Sequence, residues 1–316
     1  MLRPQTLSPI HLGSVWTAVA LFVCSIATGQ TAPRPASQNP SPMVEYTRKH
    51  ERIPQEEASG LKFVLDSLLP KPIQVFIPKK SSSAKEFDLL VHFHGAEYVV
   101  QHAASRYDGN LITATVNLGS GSRVYNDAFQ DTLIFTSLRD SIAARAGVSL
   151  RAEIRLRRVF LSGFSAGYGA IRKIISTPTN YAAVDAVLLL DGLHTSYLPD
   201  GKPLADGGRI DSTGLLSFLR FAEDASQPAS HKRFLITHSE IFPGTFVSTT
   251  EASDFILRSI GLTREPVLAW GPLGMQHLSL AHRNHFTLLG FAGNAAPDHI
   301  DHFHALSWFL DELLKL

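Results

Sequence analysis

Ser165 stands between two glycines, in Gly163-Phe164-Ser165-Ala166-Gly167, where an apolar run ends and a helical pattern begins (RVFLSGFSAGYGAI, residues 158–171). Strand, sharp turn and helix are the setting in which G-x-S-x-G carries chemistry. Such a turn holds its serine in a strained backbone conformation, and glycines two residues away on either side remove the Cβ atoms that would clash. The hydroxyl is lifted clear of the sheet above a helix N-terminus, whose unpaired N–H groups and partial positive charge suit a developing oxyanion. The chemistry expected is nucleophilic acyl transfer by Ser165.

The serine needs a base, an acid to orient it, and donors for the oxyanion. The segment around Ser165 resembles the nucleophile elbow of the α/β-hydrolase superfamily, and the order of elements extends that resemblance from about Ile73 to the C-terminus. The resemblance implies the remaining roles. After the strand FDLLVHF comes His94-Gly95-Ala96, a His-Gly pair of the kind that opens the oxyanion loop. Gly95 or Ala96 would supply one N–H and Ala166, the residue after the nucleophile, the other; each such donor contributes about 3 kcal/mol to the transition state. The chain lacks the three-glycine run of many esterases, so the inward N–H stays open. His92-x-His94 is also a possible metal-ligand pair, yet a dinuclear zinc hydrolase of the metallo-β-lactamase kind continues with Asp-His, and here the chain reads Gly95-Ala96-Glu97. No metal or other cofactor is expected.

The general base of the superfamily follows the last strand. Here FTLLGF is followed by a loop and by DHIDHFHALSWFLDELLKL, with His299, His302 and His304 in competition. His299, at the junction of loop and helix, is preferred, and His302, one turn deeper, is the reserve; His304 is expected to turn outward. Asp298 is expected to cap this helix. A neutral imidazole with a pKa near 6.5 can accept the serine proton at neutral pH. For the acid, Asp191 directly follows the unbroken run AVLLL, so its carboxylate should be buried at the sheet edge, and a buried carboxylate needs a partner. Glu240, after RFLITHS, is the alternative. Either keeps the order nucleophile, acid, histidine.

These residues need a scaffold. Apolar runs at Ile73–Pro78, 87–93, 111–117, 158–162, Ala186–Leu190, 233–237 and Phe286–Phe291 read as strands, and several have the unbroken hydrophobicity of strands covered on both faces. Helical patterns fall at 127–146, 166–176, 215–222, 250–260 and 298–314, the last with Ile300, Phe303, Leu306, Leu310 and Leu313 on one face. The alternation predicts an α/β fold, a doubly wound, mostly parallel sheet of the α/β-hydrolase type with helices on both faces. It would form a single domain over 43–316. The stretch 195–230 reads as a lid or a surface insertion, and the loop 270–285 as a wall of the pocket.

The chain has 316 residues, 44% of them apolar and 18% charged, with a formal net charge of +1. Such a composition supplies a core, and its balanced charge gives no reason to expect nucleic acid or an anionic membrane as partner. Residues 1–29 read as a signal peptide, with an apolar core VWTAVALFVCSIA at 15–27 that is too short to span a bilayer and a cleavage site after Gly29. Residues 30–42, QTAPRPASQNPSP, read as a disordered linker. Cys24, the only cysteine, lies inside the signal segment, so disulfides and thiolate chemistry are excluded from the mature chain. The expectation is a secreted or periplasmic serine hydrolase, a carboxylesterase acting on a small-molecule or polymer-derived ester, without stable membrane insertion after cleavage. A peptidase with the same triad and a non-catalytic binding protein on the same scaffold are the alternatives.

Overall fold

The computed structural model describes residues 49–315; the expected signal peptide (1–29) and linker (30–42) lie outside them. Strands β1 (Gly60–Leu65), β2 (Ile73–Pro78), β3 (Glu86–Phe93), β4 (Leu111–Val116), β5 (Arg155–Phe164) and β6 (Ala186–Leu190) come first. A two-stranded hairpin follows, β7 (Tyr197–Leu198) with β8 (Arg209–Ile210), and then β9 (Arg233–His238), β10 (Glu265–Trp270), β11 (Gln276–Arg283) and β12 (Phe286–Phe291). Ten of these form one sheet in the order β1-β2-β4-β3-β5-β6-β9-β12-β11-β10. The inner six, β4 to β12, are parallel. The outer pairs run antiparallel.

The seven apolar runs are all strands of this sheet, and the expected fold class is the one observed. Their side chains alternate between two buried layers. Leu89, Val91 and Phe93 of β3 enter one layer, as do Val187 and Leu189 of β6. That layer is closed by helices α2 (Ser122–Ala128), α3 (Ile134–Leu150), α4 (Tyr168–Ile175), α6 (Leu216–Ala225) and α7 (Thr249–Ser259), while α5 (Pro178–Ala183) follows α4. Leu90, Leu188 and Leu190 face the other layer, closed by α1 (Glu97–Arg106), α8 (Ala296–His304) and α9 (Leu306–Lys315). Among the described residues, no helix is long and apolar enough to cross a membrane.

Five expectations are corrected. The helix read at 127–146 is two, α2 and α3, because Asp131 takes the Leu133 N–H with its side chain and breaks the backbone ladder between them. The terminal helix is also two, parted at Ala305; Ile300 lies outside the docking face and is 38% exposed. Asp298 is not the cap but the third residue of α8, reaching back to the Ala295 N–H. His304 is buried, its Nδ1 accepting the Ile53 N–H at 3.1 Å. The stretch 270–285 is mostly β11, an extension of the sheet rather than a pocket wall, and β1, β10 and α1 had no strong apolar pattern to announce them.

Candidate active site

At the end of β5 the chain turns through Ser165, whose φ is +48°, and enters a single 3₁₀ turn, Ser165–Gly167, before α4. The glycines on either side have ordinary φ values; what they give is closeness. A Cβ on Gly167 would collide with the Phe93 carbonyl oxygen of β3, and one on Gly163 would lie 3.0–3.1 Å from Gly167, Ile171 and Tyr168. The strain rests on the serine, and a left-handed non-glycine residue costs about 1–3 kcal/mol.

Two more left-handed residues meet Ser165 at the same sheet edge: His94 (φ +71°) after β3 and Asp191 (φ +44°) after β6. They make up three of the six non-glycine residues with positive φ among the described residues, and such strain concentrates where function needs an unusual geometry. Gly192 passes so close to the Ser165 backbone that a Cβ would lie within 3 Å of its N and Cα atoms. This contact brings Asp191 beside the Ser165 turn.

Asp191 is 4% exposed. Its Oδ1 accepts the Ser239 N–H at 3.0 Å, and its Oδ2 accepts from Ser239 Oγ at 2.6 Å and from His299 Nδ1 at 2.7 Å. Burial alone would raise this carboxyl. The hydrogen bond from His299, the neighbouring His302 and Ser239 outweigh burial and hold it well below the usual carboxylate range. An ionised carboxylate only accepts, so His299 must carry its proton on Nδ1, and Nε2 keeps a free lone pair. The His299 ring packs on Phe164, the residue before Ser165, with centroids 4.6 Å apart. Imidazole and serine therefore share one edge, although Ser165 Oγ makes no hydrogen bond among the described residues.

The structure separates the alternatives. His302 is buried, with Nδ1 2.8 Å from Thr237 Oγ1 and its ring stacked on Phe309. Burial pushes its pKa down to about 4. Glu240 is exposed on its loop, its N–H donating to the Gly293 carbonyl. In the oxyanion loop, the Gly95 N–H is taken by Asn117 Oδ1 at 2.8 Å, and Asn117 Nδ2 donates back to the Gly95 carbonyl. Gly95 is thus corrected to a clamped hinge, and Ala96 is the candidate left in this loop. Ala166, second in the 3₁₀ turn, has one of the N–H groups a helix start leaves without an intrahelical acceptor. His92 and His94 do not form a ligand pair. His92 bonds Ser162 Oγ and the His94 carbonyl with its two ring nitrogens, and His94 Nδ1 meets Tyr125 Oη at 2.9 Å.

A cleft of about 780 Å³ opens over Ser165 and Ala166. Its aromatic wall is Tyr168, His194 and Phe246, with His194 edge-on to both rings. The excursion 195–230 does reach this cleft, through Thr195, Ser196 and the turn Asp211–Gly214. Sequence reading missed Ser239 and the Asn117 clamp. Ser239 had a signal, as the residue directly after β9 and the neighbour of Glu240; Asn117 had none beyond following its strand.

No family model matches this sequence, and no curated protein matches it significantly. Among solved structures, the chain is similar to the acylaminoacyl peptidase of Pyrococcus horikoshii in its orthorhombic crystal form. The identity is 15% and the TM-score 0.45, over 81% of this chain and 42% of that one. The chain therefore spans less than half the length of that structure.

Proposed function

We propose that this protein is a serine hydrolase that cleaves carboxylic esters through an acyl-enzyme on Ser165. The observation that carries the reading is the His299 Nδ1–Asp191 Oδ2 hydrogen bond beside a serine in a left-handed turn. A buried, ionised Asp191 fixes the tautomer in which His299 Nε2 is a base. Ser165 Oγ attacks the ester carbonyl as Nε2 takes its proton. The oxyanion is met by the N–H groups of Ala166 and Ala96. The imidazolium, stabilised by Asp191, returns the proton to the leaving alcohol. Water, activated by the same Nε2, then frees the acid. No step needs a metal or an organic cofactor.

Export belongs to the same reading and is supported by the apolar core at 15–27 followed by small residues up to Gly29. Amino-terminal sequencing of protein recovered outside the cytoplasm should begin at Gln30. Recovery of chains that keep Met1 would remove that part of the proposal.

The reading is tested by hydrolysis of p-nitrophenyl acetate and butyrate by the chain lacking residues 1–29. Ser165→Ala and His299→Ala should each lower kcat by about 10³-fold or more, as removal of a triad member does. Hydrolysis that survives Ser165→Ala, or no ester turnover by the unaltered chain, contradicts it.

A further inference from the structure

The cleft continues past the nucleophile along α4, which carries Tyr168 and Arg172 three and seven residues after Ser165; both line it. Residues so spaced share a helix face. Seven residues rise about 10 Å, and helical side chains lean back toward the N-terminus, so the guanidinium stands nearer to Ser165 than its own Cα does. The Arg172 guanidinium lies over the Tyr168 ring, 5.5 Å from its centroid.

Arg172 forms no salt bridge among the described residues, and its hydrogen bond to Asn126 Oδ1 is long, at 3.5 Å. Asp211 is the acidic residue of the lining, but its Oδ1 accepts from Thr213 N–H and Thr213 Oγ at 3.0 and 2.6 Å, and it does not pair with Arg172. Beside the guanidinium stands Gly214, where a Cβ would lie 3.5 Å from the Arg172 Nη1. A half-buried arginine with donors to spare, in a cleft that also holds a candidate nucleophile, is built to meet an anion.

The side of the cleft decides which part of the substrate carries that anion. His299 delivers its proton to the leaving group, so the alcohol part lies beside the imidazole. His299 does not line this cleft, whereas Ser165 and Ala166 do. The cleft therefore receives the acyl part. We infer that Arg172 selects esters whose acyl chain ends in a carboxylate, the hemiesters of medium-length dicarboxylic acids. The methylenes lie along Tyr168, His194 and Phe246, and the terminal carboxylate takes the guanidinium fork. This inference rests on the reading of Ser165 as nucleophile.

The test compares the p-nitrophenyl monoester of adipic acid with p-nitrophenyl hexanoate, which has the same chain length without the charge. The ratio of their kcat/KM values is read within each variant, so any general loss of activity divides out. In the unaltered chain the ratio should favour the hemiester by about ten- to hundredfold, as for a charge-assisted pair. Arg172→Met should bring it to one or below, and Arg172→Lys should keep part of it. Raising NaCl from about 0.05 to about 0.5 M should shrink it. A ratio of one in the unaltered chain, or an unchanged ratio in Arg172→Met, overturns the inference. If Ser165→Ala then abolishes ester turnover, the serine-hydrolase reading stands without it. If no ester is turned over and no phosphonate labels Ser165, both fall.

Discussion

At the residue scale the site is a chain of hydrogen bonds that ends on an imidazole. Ser239 holds both oxygens of Asp191, Asp191 holds Nδ1 of His299, and Nε2 is left free for the serine proton. Asp191→Asn keeps the shape but can present an N–H to Nδ1, which favours the wrong tautomer; kcat should fall about 10⁴-fold. Ser239→Ala removes one of two supports from the carboxylate, and a loss of about tenfold in kcat/KM on p-nitrophenyl butyrate is expected. His302→Gln should leave kcat within a few-fold, because His302 points at Thr237 and Phe309 rather than at the nucleophile. Equal losses in His299→Gln and His302→Gln would contradict this division of roles.

At the element scale, three strands deliver the site by ending together. Phe93, Phe164 and Leu190 close β3, β5 and β6, and the residues immediately after them, His94, Ser165 and Asp191, all take left-handed conformations. Gly167 lets the nucleophile turn pack onto β3. Gly167→Ala should therefore lower stability by about 1–3 kcal/mol, the range for overpacking, and reduce activity with it; an unchanged urea midpoint would contradict the contact. The opposite end of β3 has a structural charge cluster. Asp88 is buried and accepts paired hydrogen bonds from Arg157 and Arg158, with Tyr107 beside them. Burial would raise its carboxyl, but these partners hold it down to about 2. Asp88→Asn should cost about 1–3 kcal/mol by weakening its charge-assisted hydrogen bonds to two partly solvated arginines, with kcat/KM intact in the folded fraction. The central strands were legible because they are buried on both faces and so are mostly apolar. β1 and β10 at the sheet edges are half-exposed, with no such run to read. The helix break at Asp131 escaped because an aspartate inside a helical pattern does not announce by itself that its side chain will take the Leu133 N–H. Asp191 could be preferred over Glu240 because burial was visible in AVLLL; the loss of Gly95 as a donor depended on an Asn117 partner 22 residues away, which no local pattern reveals.

At the scale of the whole molecule, the polar interior sets how the protein responds to acid. His92 is pushed down to about 3 by burial, and His238 and His302 to about 4, each inside a hydrogen-bonded core position. In the unfolded chain the same groups titrate near 6.5. Between these values the unfolded state binds more protons, so stability is full above about pH 6.5 and falls as the pH drops toward 4. Each histidine adds up to about 1.4 kcal/mol per pH unit. Asp191, depressed in the fold, adds a further loss once the pH falls below about 4. Urea midpoints measured from pH 7.5 to 4 should decline continuously; a flat profile to pH 4.5 would contradict buried neutral histidines. The balanced net charge gives the molecule as a whole no strong field, so selection of a charged substrate falls to the cleft and Arg172. The central claim remains the nucleophile. It is tested most directly by treating the folded chain with a fluorophosphonate, then measuring its intact mass and mapping the adduct. The account predicts a single adduct on Ser165, absent in Ser165→Ala and slowed in His299→Ala. An unmodified chain, or an adduct on another serine that persists in Ser165→Ala, would contradict it.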